Sequence, residues 1–282
     1  MELRTPRQPP SGCITTPQRR SPPCTPTKPL WLQRCEDACV QCQYPCSFAL
    51  DQSSKREDRL ALASFGAAFF VAVFDGHRGA EVAALAAQAA PQCWRQRRHA
   101  APEALVEVLR KCQDMARQER LQGGSTAVLM ATDGQQLCCC SVGDSRAVAR
   151  VAAAPSGTLR LTREHSCRVP EEVERIAAAG GCISFGRVGG VLPMTRGLGN
   201  FDLEAAGFAC IPDVMTLPLM EVSFVVVASD GLWDVISDEE CCALVSRGCT
   251  ADGLVREARQ RGSSDDVAVV VTHFPPLSAA GA

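Results

Sequence analysis

Phe69-Phe70-Val71-Ala72-Val73-Phe74-Asp75-Gly76-His77 is a run of six apolar residues that stops abruptly on an acid, a glycine and a histidine. Phe224-Val225-Val226-Val227-Ala228-Ser229-Asp230-Gly231 repeats the arrangement far along the chain. Short apolar runs rich in Val and Phe and bounded by turn residues read as buried strands. A buried strand that ends on Asp-Gly places a carboxylate on the rim of the core, where the glycine lets the neighbouring carbonyl approach a ligand. The converse order occurs at Ser263-Ser264-Asp265-Asp266, where acids precede the apolar run Val267–Val271. If that last strand is antiparallel to the other two, all three carboxylates gather at one end of the sheet.

Working outward, strands are predicted at 67–74, 126–132, 136–142, 147–151, 224–229 and 267–273. Asp133-Gly134 predicts a tight hairpin between the second and third. Gly143-Asp144-Ser145 is read as the turn into the fourth, which makes the middle section an antiparallel meander. Helices are predicted at 80–90, 103–120, 170–179, 237–247 and 252–261. Pro170 sits in a first turn, Ser237 to Glu240 has the capping-box pattern, and Asp252 is the expected cap of the last helix. Helices grouped before and after an antiparallel section predict an α+β class, a sheet structure covered by helices.

Residues 1–30 hold eight of the 18 prolines, five basic residues and one acid. Such a composition buries too little apolar surface to offset its ordering entropy. The expected organisation is a disordered tail over 1–45, a single domain over 46–275 and a short disordered terminus over 276–282. The tail carries Thr5-Pro6, Thr16-Pro17, Ser21-Pro22 and Thr25-Pro26, which suit proline-directed kinases.

The whole chain of 282 residues has 29 basic against 31 acidic residues, a net charge of −2. That balance offers no basic field for nucleic acid. The nearly apolar stretch 60–74 is too short to span a bilayer, and no secretory h-region follows Met1. The expectation is an intracellular, reducing location, cytoplasmic or nuclear, with no membrane and no nucleic-acid partner, and a monomeric chain. Most of the 17 cysteines, an odd number that includes the run Cys138-Cys139-Cys140, then read as small apolar core residues rather than a disulfide framework. Cys35, Cys39, Cys42 and Cys46 have the spacing C-x3-C-x2-C-x3-C, which offers a second reading as four thiolates for zinc.

Several carboxylates on one rim repel one another and need a cation to stay ionised, and an all-oxygen set suits a hard ion such as Mg2+ or Mn2+. Glu57-Asp58, ahead of the strand that leads to Asp75, adds to the candidates.

These segments, taken in order, closely resemble the metal-dependent protein phosphatases, the type 2C Ser/Thr family. The matches are Glu57-Asp58, Phe70 to His77 with Gly79, Gly124-Ser125-Thr126-Ala127, Val142 to Ala147, Glu174-Arg175-Ile176 with Gly180-Gly181, Thr195 to Gly199, Ala228 to Val235, and Gly262 to Asp265. The resemblance implies a central antiparallel β-sandwich flanked by helices on both sides, in four α/β/β/α layers. It also implies hydrolysis of phosphoserine and phosphothreonine in phosphorylated protein substrates by a water bridging two Mg2+ or Mn2+ ions. Position by position, Asp75 would bridge both ions, the Gly76 carbonyl would bind one, and Asp230 and Asp265 would complete the other. Glu57 and Asp58 match an outer acidic pair, and Asp144 matches an acid associated, with Asp230, with a weaker third ion. His77 matches the general acid toward the leaving oxygen, a role typically worth about 10^2 to 10^4 in rate.

Four positions depart from the family pattern. Ser53 stands where the family carries a phosphate-gripping Arg, with Lys55, Arg56 and Arg59 as nearby cations. Arg78 replaces a glycine, with a side chain of a length to reach the phosphate. Asn200 replaces an Asp, and Asp266 replaces an Asn. These changes bear on substrate grip, and they motivate an alternative in which the chain is a catalytically weak or inactive pseudophosphatase that serves as a scaffold. A third reading is a hydrolase for small phosphorylated molecules.

Overall fold

The run 69–74 forms a strand with both faces covered in the computed structural model, which describes residues 30–96 and 101–274. In chain order the elements are α1 (Leu30–Gln41), β1 (Cys46–Asp51), β2 (Arg59–Phe65), β3 (Ala68–Phe74), β4 (Gly76–His77), α2 (Glu81–Arg95), α3 (Pro102–Gln118), β5 (Gly124–Ser125), β6 (Ala127–Thr132), β7 (Gln136–Val142), β8 (Arg146–Val151) and β9 (Thr158–Arg160). They continue with α4 (Pro170–Ala178), β10 (Ile183–Ser184), β11 (Arg187–Val188), β12 (Leu198–Gly199), β13 (Asp213–Pro218), β14 (Val222–Ala228), α5 (Asp230–Trp233), α6 (Asp238–Ser246), α7 (Ala251–Gln260) and β15 (Val267–His273).

Two antiparallel five-stranded sheets, ordered β1-β15-β14-β8-β9 and β13-β7-β6-β3-β2, make a sandwich. Successive side chains on a strand point to opposite faces, so each central strand feeds two cores. Phe69, Val71 and Val73 meet Val225, Val227 and Val270 between the sheets. Phe70, Ala72 and Phe74 turn outward to a layer with Ala86, Trp94, Leu105 and Leu109 of α2 and α3. On the far side, Val226, Val269 and Val271 pack against Leu232, Cys241 and Leu254 of α5 to α7. The four α/β/β/α layers follow. Because both faces are dry, the strands are written as continuous apolar runs rather than alternating ones.

The cysteine run of β7 obeys the same geometry. Cys138 and Cys140 lie in the helix-covered core, and Cys139 lies between the sheets. Every cysteine among the described residues is free.

Three expectations need correction. Gly143-Asp144-Ser145 does not continue a meander: β7 belongs to one sheet and β8 to the other, so this turn carries the chain across the sandwich. The carboxylates therefore collect at one end of a sandwich, since β3 and β14 lie in different sheets. Helix α7 is capped by Thr250, whose hydroxyl accepts the Gly253 N–H, while Asp252 sits in the first turn. The tail boundary at 45 lies too late. Helix α1 occupies 30–41 and buries Cys35 and Ala38 against β2, a contact that the Pro-rich composition just ahead of it masks. The four clustered thiols lie along α1, its exit and the start of β1. Cys35 donates to the Leu60 carbonyl, and among the described residues no three Cys, His or acidic side chains are grouped as metal ligands. The rest of the tail, with its Ser/Thr-Pro pairs, and the terminus 276–282 lie outside the described residues. No helix among the described residues is long and apolar enough to cross a membrane.

Candidate active site

Each acid sits where a strand begins or ends. Asp75 follows β3, Asp144 lies in the crossover turn between the sheets, Asp230 opens α5 directly after β14, and Asp265 precedes β15. Asp58 precedes β2 and is 1% exposed. The approach of α5 to the segment just ahead of β15 depends on Gly231, where a Cβ would stand 2.0 Å from the Asp266 carbonyl oxygen. The backbone around Asp75 is held by Thr126, whose N–H donates to the Asp75 carbonyl at 2.8 Å and whose hydroxyl accepts the Asp75 N–H at 3.1 Å. Ser145 backs the Thr126 hydroxyl at 2.6 Å.

The cluster is short of positive charge. Burial, then the fields of Asp266 and Asp230, push Asp58 up to about 7. Burial and Asp230 push Asp144 up to about 7. Burial, Asp234 and Asp265 push Asp230 up to about 6. Asp75 is raised well above the carboxylate range by burial and by Asp58, Asp230 and Asp144, and it shares a hydrogen bond with Asp230. Desolvation together with like charges is what raises carboxyl groups this way. Two carboxylate oxygens, Asp58 Oδ2 and Asp144 Oδ1, are buried with no hydrogen-bond partner. A buried acceptor without a donor is costly, and a hard cation would satisfy both oxygens and relieve the repulsion. Donor chemistry and charge deficit thus fit divalent metal ions, although the side chains are not already closed around one.

Not every predicted ligand is free to take an ion. The Glu57 carboxylate is engaged elsewhere, with Oε1 accepting the Gly79 N–H at 2.7 Å. Asp265 is paired with Lys55, Nζ to Oδ2 at 2.7 Å. Gly76 is buried in β4, paired with Ser125 of β5.

His77 is joined by a residue that sequence reasoning noted only as a departure. Asn200 is 1% exposed, adopts a left-handed φ of 48°, and lies with Nδ2 2.7 Å from His77 Nε2. Its approach requires Gly124, where a Cβ would fall 2.0 Å from Asn200 Nδ2. Arg78 faces Asn200 Oδ1 at 3.5 Å, which orients the amide with Nδ2 toward the ring. His77 Nε2 is therefore the acceptor and the proton resides on Nδ1, a buried atom with no partner. Burial, in spite of the Asn200 contact, lowers His77 to about 4, so the ring is neutral at neutral pH.

Of the other departures, Arg78 is held by Asp202 at 2.9 Å; of the cations near Ser53, Arg59 is held by the carbonyls of Arg56 and Asp58. Asp266 organises the β1–β2 loop, accepting the N–H groups of Ser53, Glu57 and Asp58. Its role rests on backbone contacts more than 200 residues apart in sequence, which leave no local signal.

A family model for Protein phosphatase 2C matches residues 30–267. The chain belongs to the protein phosphatase 2C family. Among curated phosphatase 2C relatives, a rice "Protein kinase and PP2C-like domain-containing protein" is 31% identical over 83% of this chain and 37% of its own length. "Protein phosphatase 2C homolog 2" of Saccharomyces cerevisiae is 28% identical over 68% of this chain and 45% of its own length. The chain spans less than two thirds of the length of either relative. Among solved structures, a C. elegans sex determining protein superposes with a TM-score of 0.72 at 27% identity, covering 82% of this chain and 65% of the other. Serine-threonine phosphatase 2C from Toxoplasma gondii does so with a TM-score of 0.69 over 82% and 95% of the two chains, and at 20% identity it supports the phosphatase 2C fold alone. The antiparallel sandwich flanked by helices is the fold of that family.

Proposed function

We propose that the domain is a protein Ser/Thr phosphatase that works with Mg2+ or Mn2+ held at the Asp58, Asp75, Asp144, Asp230 and Asp265 end of the sandwich, two ions with a weaker third. The observation that carries the reading is the charge deficit of this cluster, four buried acids raised together with two buried oxygens unpaired. Bound divalent ions would supply charge neutralisation and an activated water for an in-line attack on a phosphate monoester.

This chain's own residues supply the frame. Thr126 and Ser145 fix the backbone at Asp75, Asp266 fixes the loop that carries Asp58, and Gly231 lets Asp230 and Asp265 approach. His77 is assigned the proton for the departing serine or threonine oxygen, and the Asn200 contact sets the tautomer in which the ring carries it. A neutral imidazole N–H is a far weaker acid than an imidazolium, so the proton-transfer part of the rate enhancement is small in this chain. The substrates on this reading are phosphorylated proteins.

One observation favours the scaffold alternative. Ser53 brings no guanidinium, and Arg78 is held by Asp202, so neither offers a free bidentate grip on phosphate. Phosphate release from a phosphothreonine peptide, with Mn2+, with Mg2+ and with EDTA, beside an Asp75→Asn, Asp230→Asn double variant, tests both. Metal-dependent release that vanishes in the variant is expected; wild type as inactive as the variant while still binding Mn2+ would favour the scaffold.

A further inference from the structure

The β1–β2 loop delivers a cation to the acid cluster. Three backbone N–H groups of this loop donate to the Asp266 carboxylate, which clamps the loop beside Asp265. Inside the loop, Ser53 Oγ accepts the Lys55 N–H at 3.1 Å and Arg56 takes a left-handed φ of 57°. That turn lays Lys55 Nζ 2.7 Å from Asp265 Oδ2, within the electrostatic reach of Asp230 and Asp75. Among the described residues, no other Lys or Arg side chain forms an ion pair with these three acids: Arg59 is spent on backbone carbonyls and Arg78 on Asp202.

We propose that Lys55 is an internal competitor for the divalent ion that Asp265 and Asp230 would hold, an inference that rests on the metal site of the phosphatase reading. The ammonium and a divalent ion seek the same carboxylate oxygen and repel each other at such range. The two ends of the ion pair are 56% and 37% exposed, so the pair breaks at small cost and the lysine withdraws to solvent when the ion enters. Metal affinity at this end of the site is then set by a residue two positions before Glu57 that makes no bond to the ion. The withdrawn ammonium is left exposed at the mouth of the site.

The test is titration calorimetry of Mn2+ alone into the full chain, for wild type, Lys55→Met and Lys55→Arg, without substrate. Lys55→Met binds Mn2+ about three- to tenfold more tightly than wild type, and Lys55→Arg, which keeps the charge, does not. A second readout needs no substitution. Acetylation of Lys55 by acetic anhydride, followed by mass spectrometry with Lys111 as the internal reference, accelerates when Mn2+ is added. Equal Mn2+ affinity in wild type and Lys55→Met, tightening by both substitutions alike, or acetylation indifferent to Mn2+ overturns the role of Lys55 and leaves the metal site standing. Failure of all three proteins to bind Mn2+ overturns the metal reading and this inference together.

Discussion

The Asn200 side-chain amide donates to His77 Nε2 at 2.7 Å while Arg78 faces its oxygen. An amide in this place fixes the ring's tautomer and adds no charge to favour the imidazolium. A carboxylate at the same point would. Asn200→Asp is therefore expected to raise the His77 pKa from about 4 toward the ordinary histidine range, as read by NMR titration of the ring. Aspartate tolerates the left-handed backbone that Asn200 adopts, so the fold is retained. An unmoved His77 titration would show that Asn200 does not control the ring.

The same neutral ring predicts a dependence on the leaving group. Aryl phosphates depart without protonation, whereas serine and threonine alkoxides need a proton. His77→Ala should cost about tenfold or less on an aryl phosphate, and the ratio of phosphopeptide to aryl phosphate turnover should rise in Asn200→Asp. Steady-state kinetics on the two substrates checks this; equal response of both substrates to Asn200→Asp would remove His77 from the proton's path.

Metal uptake should release protons. Asp58 and Asp144, at about 7, and Asp230, at about 6, are partly or largely protonated near pH 6 to 7 and must ionise to hold a cation. Calorimetric Mn2+ titrations in buffers of different ionisation enthalpy should give different apparent heats at pH 6.5, and the difference should shrink as pH rises past 7. Affinity should fall as pH drops through 7 and 6. Buffer-independent heats at pH 6.5 would mean the acids are already ionised.

Without metal, those raised acids tie stability to pH with a definite sign. A carboxyl whose pKa is higher folded than unfolded binds its proton more tightly in the native state, so its contribution is full below the unfolded value and is lost as pH rises through the folded one. The metal-free chain should therefore melt at lower temperature at pH 8 than at pH 6.5, and the rise in Tm on adding Mn2+ should be larger at pH 8. Glu172, held at about 2 by Arg196, Thr195 and Arg175 against the opposing effect of burial, acts oppositely only in strong acid, while the lowered His77 opposes the four raised acids near pH 6.5 and is outnumbered by them. Differential scanning calorimetry in EDTA decides it, and a Tm that climbs from pH 6.5 to 8 would contradict the sign.

Gly231→Ala tests the close approach that brings Asp230 to Asp265. A Cβ placed 2.0 Å from a backbone oxygen cannot be accommodated without moving α5 or the segment just ahead of β15. A loss of about 1 to 3 kcal/mol in urea unfolding is expected, with weakened Mn2+ binding. A change under about 0.5 kcal/mol, the scale of an ordinary surface substitution, would mean that the strands have room.

What was legible in the sequence was what strong periodic signals encode. The strand ending at Asp75 stood out because both of its faces are dry, and the run ending at Asp230 did so for the same reason. Strand β13 was missed because four of its six residues, Val214 to Thr216 and Pro218, are exposed on a sheet edge. Strand β2 was missed because alanines fill it where it meets α2. The assignment of β7 and β8 to different sheets left no trace, since a turn within a sheet and a turn between sheets use the same glycine and acid. The contacts of Asn200 with His77 and of Lys55 with Asp265 join residues 123 and 210 positions apart, and one sequence holds no term for such a pairing.

Asp75 hangs from one sheet, Asp230 and Asp265 from the other, and Asp144 from the turn that joins them. The site therefore comes into being only when the two halves of the sandwich have closed on each other, whatever secondary structure has formed before. A cation seated there would be a rivet through both sheets. Its retention then reports, during refolding, the moment at which the chain's distant segments have met.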